Sequence, residues 1–165
     1  MIKHRNIIYG FLFINIAVVV FSLGSAHGAT ITVIPGQSIQ ESIDKANPGD
    51  IILVESGIYR ENVNITKPLT LRGANTSNGP RVVDGLSRGS TITLSADGIK
   101  LERFVVTNSS GSKGSSGIKV KSNNNTIIGN NVSDNGRSGI WLSNSSLNII
   151  ADNVVTGSCR SRHMP

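Results

Sequence analysis

The chain has 165 residues, of which 4% are aromatic and 16% charged, with a formal net charge of +6 and abundant Gly, Ser and Asn. That length allows one domain with a real core. The composition excludes a helical bundle, which would be rich in Ala, Glu, Lys, Leu and Arg, and the recurrent Ile, Val and Leu exclude a disordered chain.

Residues 1–29 read as a secretory signal peptide. Lys3 and Arg5 form a basic start, Ile7 to Leu23 is largely apolar, and small residues follow at Gly24, Ser25, Ala26, Gly28 and Ala29. Cleavage is expected after Ala26, Gly28 or Ala29. The competing reading is an uncleaved membrane anchor, since the apolar stretch approaches the length of a spanning helix. Either reading places the rest of the chain outside the cytoplasmic membrane: secreted, on the cell surface or in the periplasm. Setting aside Lys3, Arg5, Arg160 and Arg162 leaves 12 basic against 10 acidic residues. These cations are scattered singly, with no basic stripe and no aromatic interleaving, which argues against nucleic-acid binding.

The next element is a short helix. Ser38-Ile39-Gln40-Glu41 fits a capping box, Ile39, Ile43 and Ala46 share one helical face, and Asn47-Pro48-Gly49 stops the run. A helix over about 38–46 would shield the open end of whatever follows. Ile51 to Val54 and Val63 to Ile65 then read as strands.

Beyond them the sequence repeats. Shifted by 22 residues, Ser116 to Ser158 lands on itself: Gly117-Ile118 meets Gly139-Ile140, and Val120 meets Leu142. In the same shift Ile127-Ile128 meets Ile149-Ile150, Asn130-Asn131 meets Asp152-Asn153, and Val132 meets Val154. Short in–out alternations such as Ile118-Lys119-Val120, bounded by Gly, Asn and Ser, are half-buried strands. A period of this length holds three such strands and no helix, which makes one coil of a stacked parallel β-solenoid. One column of strands is read as Leu69/Leu71, Ile92/Leu94, Ile118/Val120 and Ile140/Leu142, with spacings of 23, 26 and 22. The widest step is attributed to the polar excursion Ser109 to Gly117. A second column is Ile99/Leu101, Thr126/Ile128 and Asn148/Ile150, and a third is Val105, Val132 and Val154. The asparagines gain a role in this scheme: Asn131 and Asn153 are expected to stack as an amide ladder, at corners whose left-handed backbone Asn tolerates. The domain so defined covers residues 30–158. Residues 159–165 break the repeat and read as an atypical tail from a truncation or frameshift, leaving an open last coil where a protein partner could dock. The single cysteine, Cys159, excludes an internal disulfide.

The segment Thr30 to Asn75, TITVIPGQSIQESIDKANPGDIILVESGIYRENVNITKPLTLRGAN, resembles the opening of right-handed parallel β-helix proteins. The later unit SGIKVKSNNNTIIGNNVSDNG resembles the repeats of the NosD-like, pectin-lyase-like superfamily. The resemblance covers about residues 30–158. It implies an all-β, right-handed parallel β-helix with three-strand coils of about 22 residues and an N-terminal capping helix. It also implies three functions: a surface module binding carbohydrate or another envelope component, a periplasmic accessory of copper-site maturation, or a fragment of a polysaccharide lyase or hydrolase.

Asp134 and Asp152 sit in adjacent coils, but the chain carries no Asp-Asp pair, Asp-x-Asp or His-bearing catalytic motif, so no catalytic residue is assigned. Asp84-Gly85 reads as a turn, and a calcium site there would need six or more oxygens. Copper would take soft ligands, which the mature chain offers at Cys159, His163 and Met164. Trp141, projecting outward from its strand, offers a face for stacking on a sugar ring, or else packs against a neighbouring loop. Asn-x-Ser/Thr sequons stand at Asn64, Asn75, Asn108, Asn124 and Asn144 as candidate glycosylation sites, and at Asn131, which is better read as a ladder residue.

Overall fold

Strand β1 (Thr30–Val33) leads into helix α1 (Ile39–Lys45), and then the coils begin. The first is β2 (Ile51–Val54), β3 (Gly57–Arg60) and β4 (Val63–Ile65); the second is β5 (Thr70–Gly73), β6 (Arg81–Asp84) and β7 (Ile92–Leu94). The third is β8 (Lys100–Glu102), β9 (Val105–Thr107) and β10 (Ser116–Val120). The fourth is β11 (Thr126–Ile128), β12 (Asn131–Ser133) and β13 (Ser138–Leu142), and β14 (Ile149–Ala151) and β15 (Val154–Thr156) begin a fifth. The computed structural model describes residues 28–75 and 78–158. All strand pairs are parallel and form three sheets: β1-β2-β5-β8-β11-β14, β3-β6-β9-β12-β15 and β4-β7-β10-β13. The result is the expected parallel β-helix with a short capping helix; residues 1–27, where most of the expected signal peptide falls, and the expected atypical tail, 159–165, lie outside the described residues.

The period-2 alternation explains the core. Ile52, Leu71, Leu101 and Ile127 stack inward from the first sheet, Tyr59, Val83, Val106 and Val132 from the second, and Ile65, Leu94 and Val120 from the third. All of them are buried. Because each coil touches only its neighbours, corners can differ in length without breaking the stack.

That tolerance corrects the columns read from the sequence. Val63 and Ile65, not Leu69 and Leu71, lie beneath Ile92 and Leu94, while Leu71 lies beneath Leu101. Long corners after β5 and β6 stretch this coil, so a spacing of 23 matched the wrong strand. In the last coil the shift changes partway: Ile118 pairs with Ile140 but Ile127 pairs with Ile150. Leu142 to Ile149 contains one residue more than Val120 to Thr126, and the corner takes it up at Leu147, which is 77% exposed with φ 57°. Every later pairing moves by one, so Val132 pairs with Val155 and not Val154; on its other side it pairs with Val106, one residue beyond the expected Val105.

The ladder moves with it. Asn131 lies opposite Val154 and is exposed; Asn130 is the residue stacked on Asn153. Asn125, Asn130 and Asn135 each turn into a corner and are almost fully buried. Their Oδ1 atoms accept from the backbone N–H of Ile99, Phe104 and Ser109 in the coil before, at 2.9, 3.0 and 3.1 Å. Asn130 Nδ2 donates to the carbonyls of Leu101 and Ile128 and to Asn153 Oδ1. Asn125 Nδ2 likewise donates to Asn148 Oδ1 at 2.9 Å. A signal for this was present: Asn recurs every five residues at 125, 130 and 135, and again at 148 and 153.

Helix α1 is capped as expected at Ser38, whose Oγ accepts from Glu41 N at 3.1 Å. Glu41 itself pairs with exposed Lys45, and the second cap comes from Glu61 in the first coil. Its carboxylate accepts from Ser38 Oγ and from the N–H groups of Ile39 and Gln40 at 2.8 to 3.0 Å. Lys67 Nζ donates to carbonyls at the other end of the helix. The coil thus holds both poles of the helix dipole with the complementary charge, and Ile39 and Ile43 close the interior.

On the first sheet, at its outward-facing positions, Glu102 is buried between Arg72 and Lys100, with Lys100 Nζ 2.8 Å away. Burial alone pushes this carboxyl up, but the hydrogen bonds and charges of Lys100 and Arg72 outweigh burial and hold it below the ordinary carboxylate range. A depressed carboxylate stabilises the fold above its unfolded pKa and loses that contribution as pH falls through the folded value. Glu102→Gln is therefore expected to cost about 1–2 kcal/mol at neutral pH, since both cations reach solvent and are screened. Melting curves against pH should show the gap between variant and parent closing in acid; a gap independent of pH would refute the ion-pair account.

Candidate functional site

The turns from the second sheet to the third stack along one corner of the β-helix. Asn62 Nδ2 donates to the carbonyls of Gly85 and Ser90, Ser87 N to Asn108 O, Ser110 N to Gly89 O, and Asn108 N to Asp134 O. Three of these turns begin with a left-handed residue: Asn108, Asp134 and Gly157 have φ of 61°, 53° and 59°. Asn, Asp and Gly bear that conformation at least cost, so the repeat places short polar side chains in a row.

Along this row lies a groove of about 1060 Å³, lined by Ser87, Asn108, Ser110, Ser112, Asp134 and Asn135, with Gly157 and Ser158 at its far end. Ser87 Oγ donates to Asn108 Oδ1 at 2.7 Å, and Asn108 Nδ2 donates to Asp84 Oδ1 at 2.6 Å. Asp84 also accepts from Leu86 N at 2.9 Å, which makes Asp84-Gly85 the expected turn. The excursion Ser109 to Gly117 forms one wall. Sequence reasoning missed this groove, because its lining comes from four coils; the recurrent Asn, Asp or Gly at the corner was the available signal.

Trp141 supports that wall from outside. It is half-buried, its ring edge packs against Gly114, and Lys119 Nζ sits 4.7 Å above the ring while donating to Gly114 O at 3.1 Å. One ring face is thus occupied by a cation, and the tryptophan buttresses the excursion instead of standing as an isolated platform.

The other candidates are dispersed. Asp134 follows β12 and Asp152 follows β14, at different corners. Among the described residues no three His, Cys, Asp or Glu side chains converge to hold a metal. The described residues contain no Cys, His or Met at all, so their donors are hard oxygens, which do not fit copper. Cys159, His163 and Met164 lie outside the described residues. Of the sequons, Asn64, Asn75, Asn124, Asn131 and Asn144 are exposed, whereas Asn108 is half-buried and bonded in the groove. At the end of the fourth coil Leu142, and in the last described coil Ile149, Ile150, Val154 and Val155, are exposed, where a protein partner was expected. Among the described residues no helix is long and apolar enough to cross a membrane.

Comparison with known proteins agrees with this architecture. Residues 37–162 match the family described as periplasmic copper-binding protein (NosD). A cell surface glycoprotein of Methanothermus fervidus is 39% identical over 71 residues, 41% of this chain and 11% of that protein. The match thus spans about a tenth of the glycoprotein's length. No solved structure matches the chain.

Proposed function

This chain belongs to the NosD family, and from that premise we propose that it is a saccharide-binding β-helix module whose site is the corner groove. Its family and its glycoprotein relative place it outside the cytoplasm, as a secreted, cell-surface or periplasmic protein. The observation that carries the binding reading is the groove lining. Sugars present closely spaced hydroxyls, and recognition needs hydroxyl, amide and carboxylate partners held at fixed separation. Ser87, Asn108, Ser110 and Asp134 supply all three kinds, repeated along the axis at the coil spacing of about 4.8 Å. Asp134 is the one carboxylate lining the groove among the described residues. Glycoside hydrolysis uses two, so the reading is binding without turnover.

The test is affinity electrophoresis of the protein through gels carrying a panel of soluble polysaccharides. Retention by at least one is expected. Asp134→Asn should weaken it about tenfold, the loss of one charge-assisted hydrogen bond. Trp141→Ala should weaken it too, by freeing the excursion. Retention by none overturns the reading. A second reading, copper handling, follows the family description and would rest on Cys159, His163 and Met164. Copper stoichiometry unchanged by Cys159→Ser would remove it.

A further inference from the structure

We infer that the saccharide bound in this groove is anionic, its acidic groups lying along a row of four cationic side chains, Arg60, Arg88, Lys113 and Arg137. The inference rests on the groove reading and adds the ligand's charge. In sequence these residues are isolated, 28, 25 and 24 positions apart. In the fold Arg60 ends strand β3, while Arg88, Lys113 and Arg137 stand in the turns from the second sheet to the third, so the four border that corner beside the groove lining, one from each of four successive coils. The hydrogen bonds between stacked turns fix that order, from Asn62 through Ser87 and Ser110 to Asp134. All four side chains are exposed, and no ion pair among the described residues involves them.

The distribution of the other cations makes the row more than a solvated surface. Lys45 pairs with Glu41, Arg72 and Lys100 with Glu102, Lys67 holds the helix carbonyls, and Lys119 covers Trp141. Arg81 donates to Gly79 O. The remaining exposed cations, Arg103 and Lys121, stand singly at the other two corners. Three acids share the row's corner. Glu61 is consumed by the helix cap and Asp84 by Leu86 N and Asn108, which leaves Asp134 facing the groove. Arginine presents paired N–H groups to a carboxylate or sulfate. A cation at each coil step suits a polymer carrying repeated acidic groups, while Asp134 and the serines take its hydroxyls.

The experiment measures binding of the full chain to dextran and hydroxyethyl-cellulose, each beside its carboxymethyl derivative, with polyacrylate as a polyanion that is not a sugar. The expected result is at least about tenfold tighter binding of the carboxymethyl polymers, the combined effect of several exposed charge pairs, fading as salt is raised. The variant Arg60→Gln, Arg88→Gln, Lys113→Gln, Arg137→Gln should bind a carboxymethyl polymer no better than its neutral parent. These exposed substitutions should leave the melting temperature unchanged, so lost binding reports lost charge. Equal binding of neutral and charged polymers, unmoved by the variant, overturns the inference and leaves the saccharide reading standing. Failure to bind any polymer overturns both. Polyacrylate binding as tightly as the carboxymethyl sugars, with Asp134→Asn without effect, overturns both in favour of a general polyanion surface.

Discussion

Asn130→Ala is expected to destabilise the protein by about 3 kcal/mol, whereas Asn131→Ala should change stability by less than about 0.5 kcal/mol. The two residues are neighbours in sequence and of one type, so the contrast isolates position. Asn130 is 1% exposed. Its side chain accepts from Phe104 N and donates to Leu101 O, Ile128 O and Asn153 Oδ1. Truncation leaves those backbone groups buried without partners, and each orphan costs about 1–3 kcal/mol. Asn131 lies on the outer face of its strand, where water replaces whatever its amide loses. In thermal unfolding the first variant should melt roughly 6–12 °C lower, by the usual conversion for domains of this size. Equal effects for both variants, or a larger one at Asn131, would restore the register inferred from the 22-residue shift and refute the one seen in the fold.

Phe104→Ala should cost about 3–5 kcal/mol, the range for truncating a fully buried aromatic. Phe104 is 1% exposed and fills the inward corner position that Asn130 occupies one coil later. The coil has little room to collapse into the vacancy, because its corners are pinned by hydrogen bonds to both neighbours. Phe104→Leu keeps most of the volume and should lose well under half as much. Denaturant midpoints for both variants check this. The double variant with Asn130→Ala should fall short of the sum of the single losses, because both substitutions loosen one corner, where the backbone N–H of residue 104, retained in Phe104→Ala, is held by Asn130 Oδ1. Full additivity would mean that the ladder and the aromatic corner act independently.

Both predictions depend on a register that was only partly legible. The helix was readable because its signals are local: Ser38 at the cap, the apolar face of Ile39 and Ile43, and Asn47-Pro48-Gly49 behind it. Its true second cap was not, since Glu61 approaches from 20 residues downstream of Glu41. Ile118 over Ile140 was readable because no insertion separates that pair from its repeat. Asn130 over Asn153 was missed by one position because Leu147 lengthens an intervening corner. Of the candidate site residues, Trp141 was found outward as expected, but nothing adjacent to it in sequence announces Lys119 or Gly114 as its partners.

Taken alone, the sequence determined the strand type, the coil as the repeating unit, the parallel stacking and the capped end. Those follow from alternation and period, which are properties of the chain read a few residues at a time. The tertiary structure decided which residue stands above which, and therefore where Asn130, Trp141 and the corner groove lie. It also turned four isolated cations into one row. The physical reason is that a solenoid tolerates corners of unequal length. Each added residue leaves the stack intact but displaces the count, so spacing along the chain ceases to measure height along the axis.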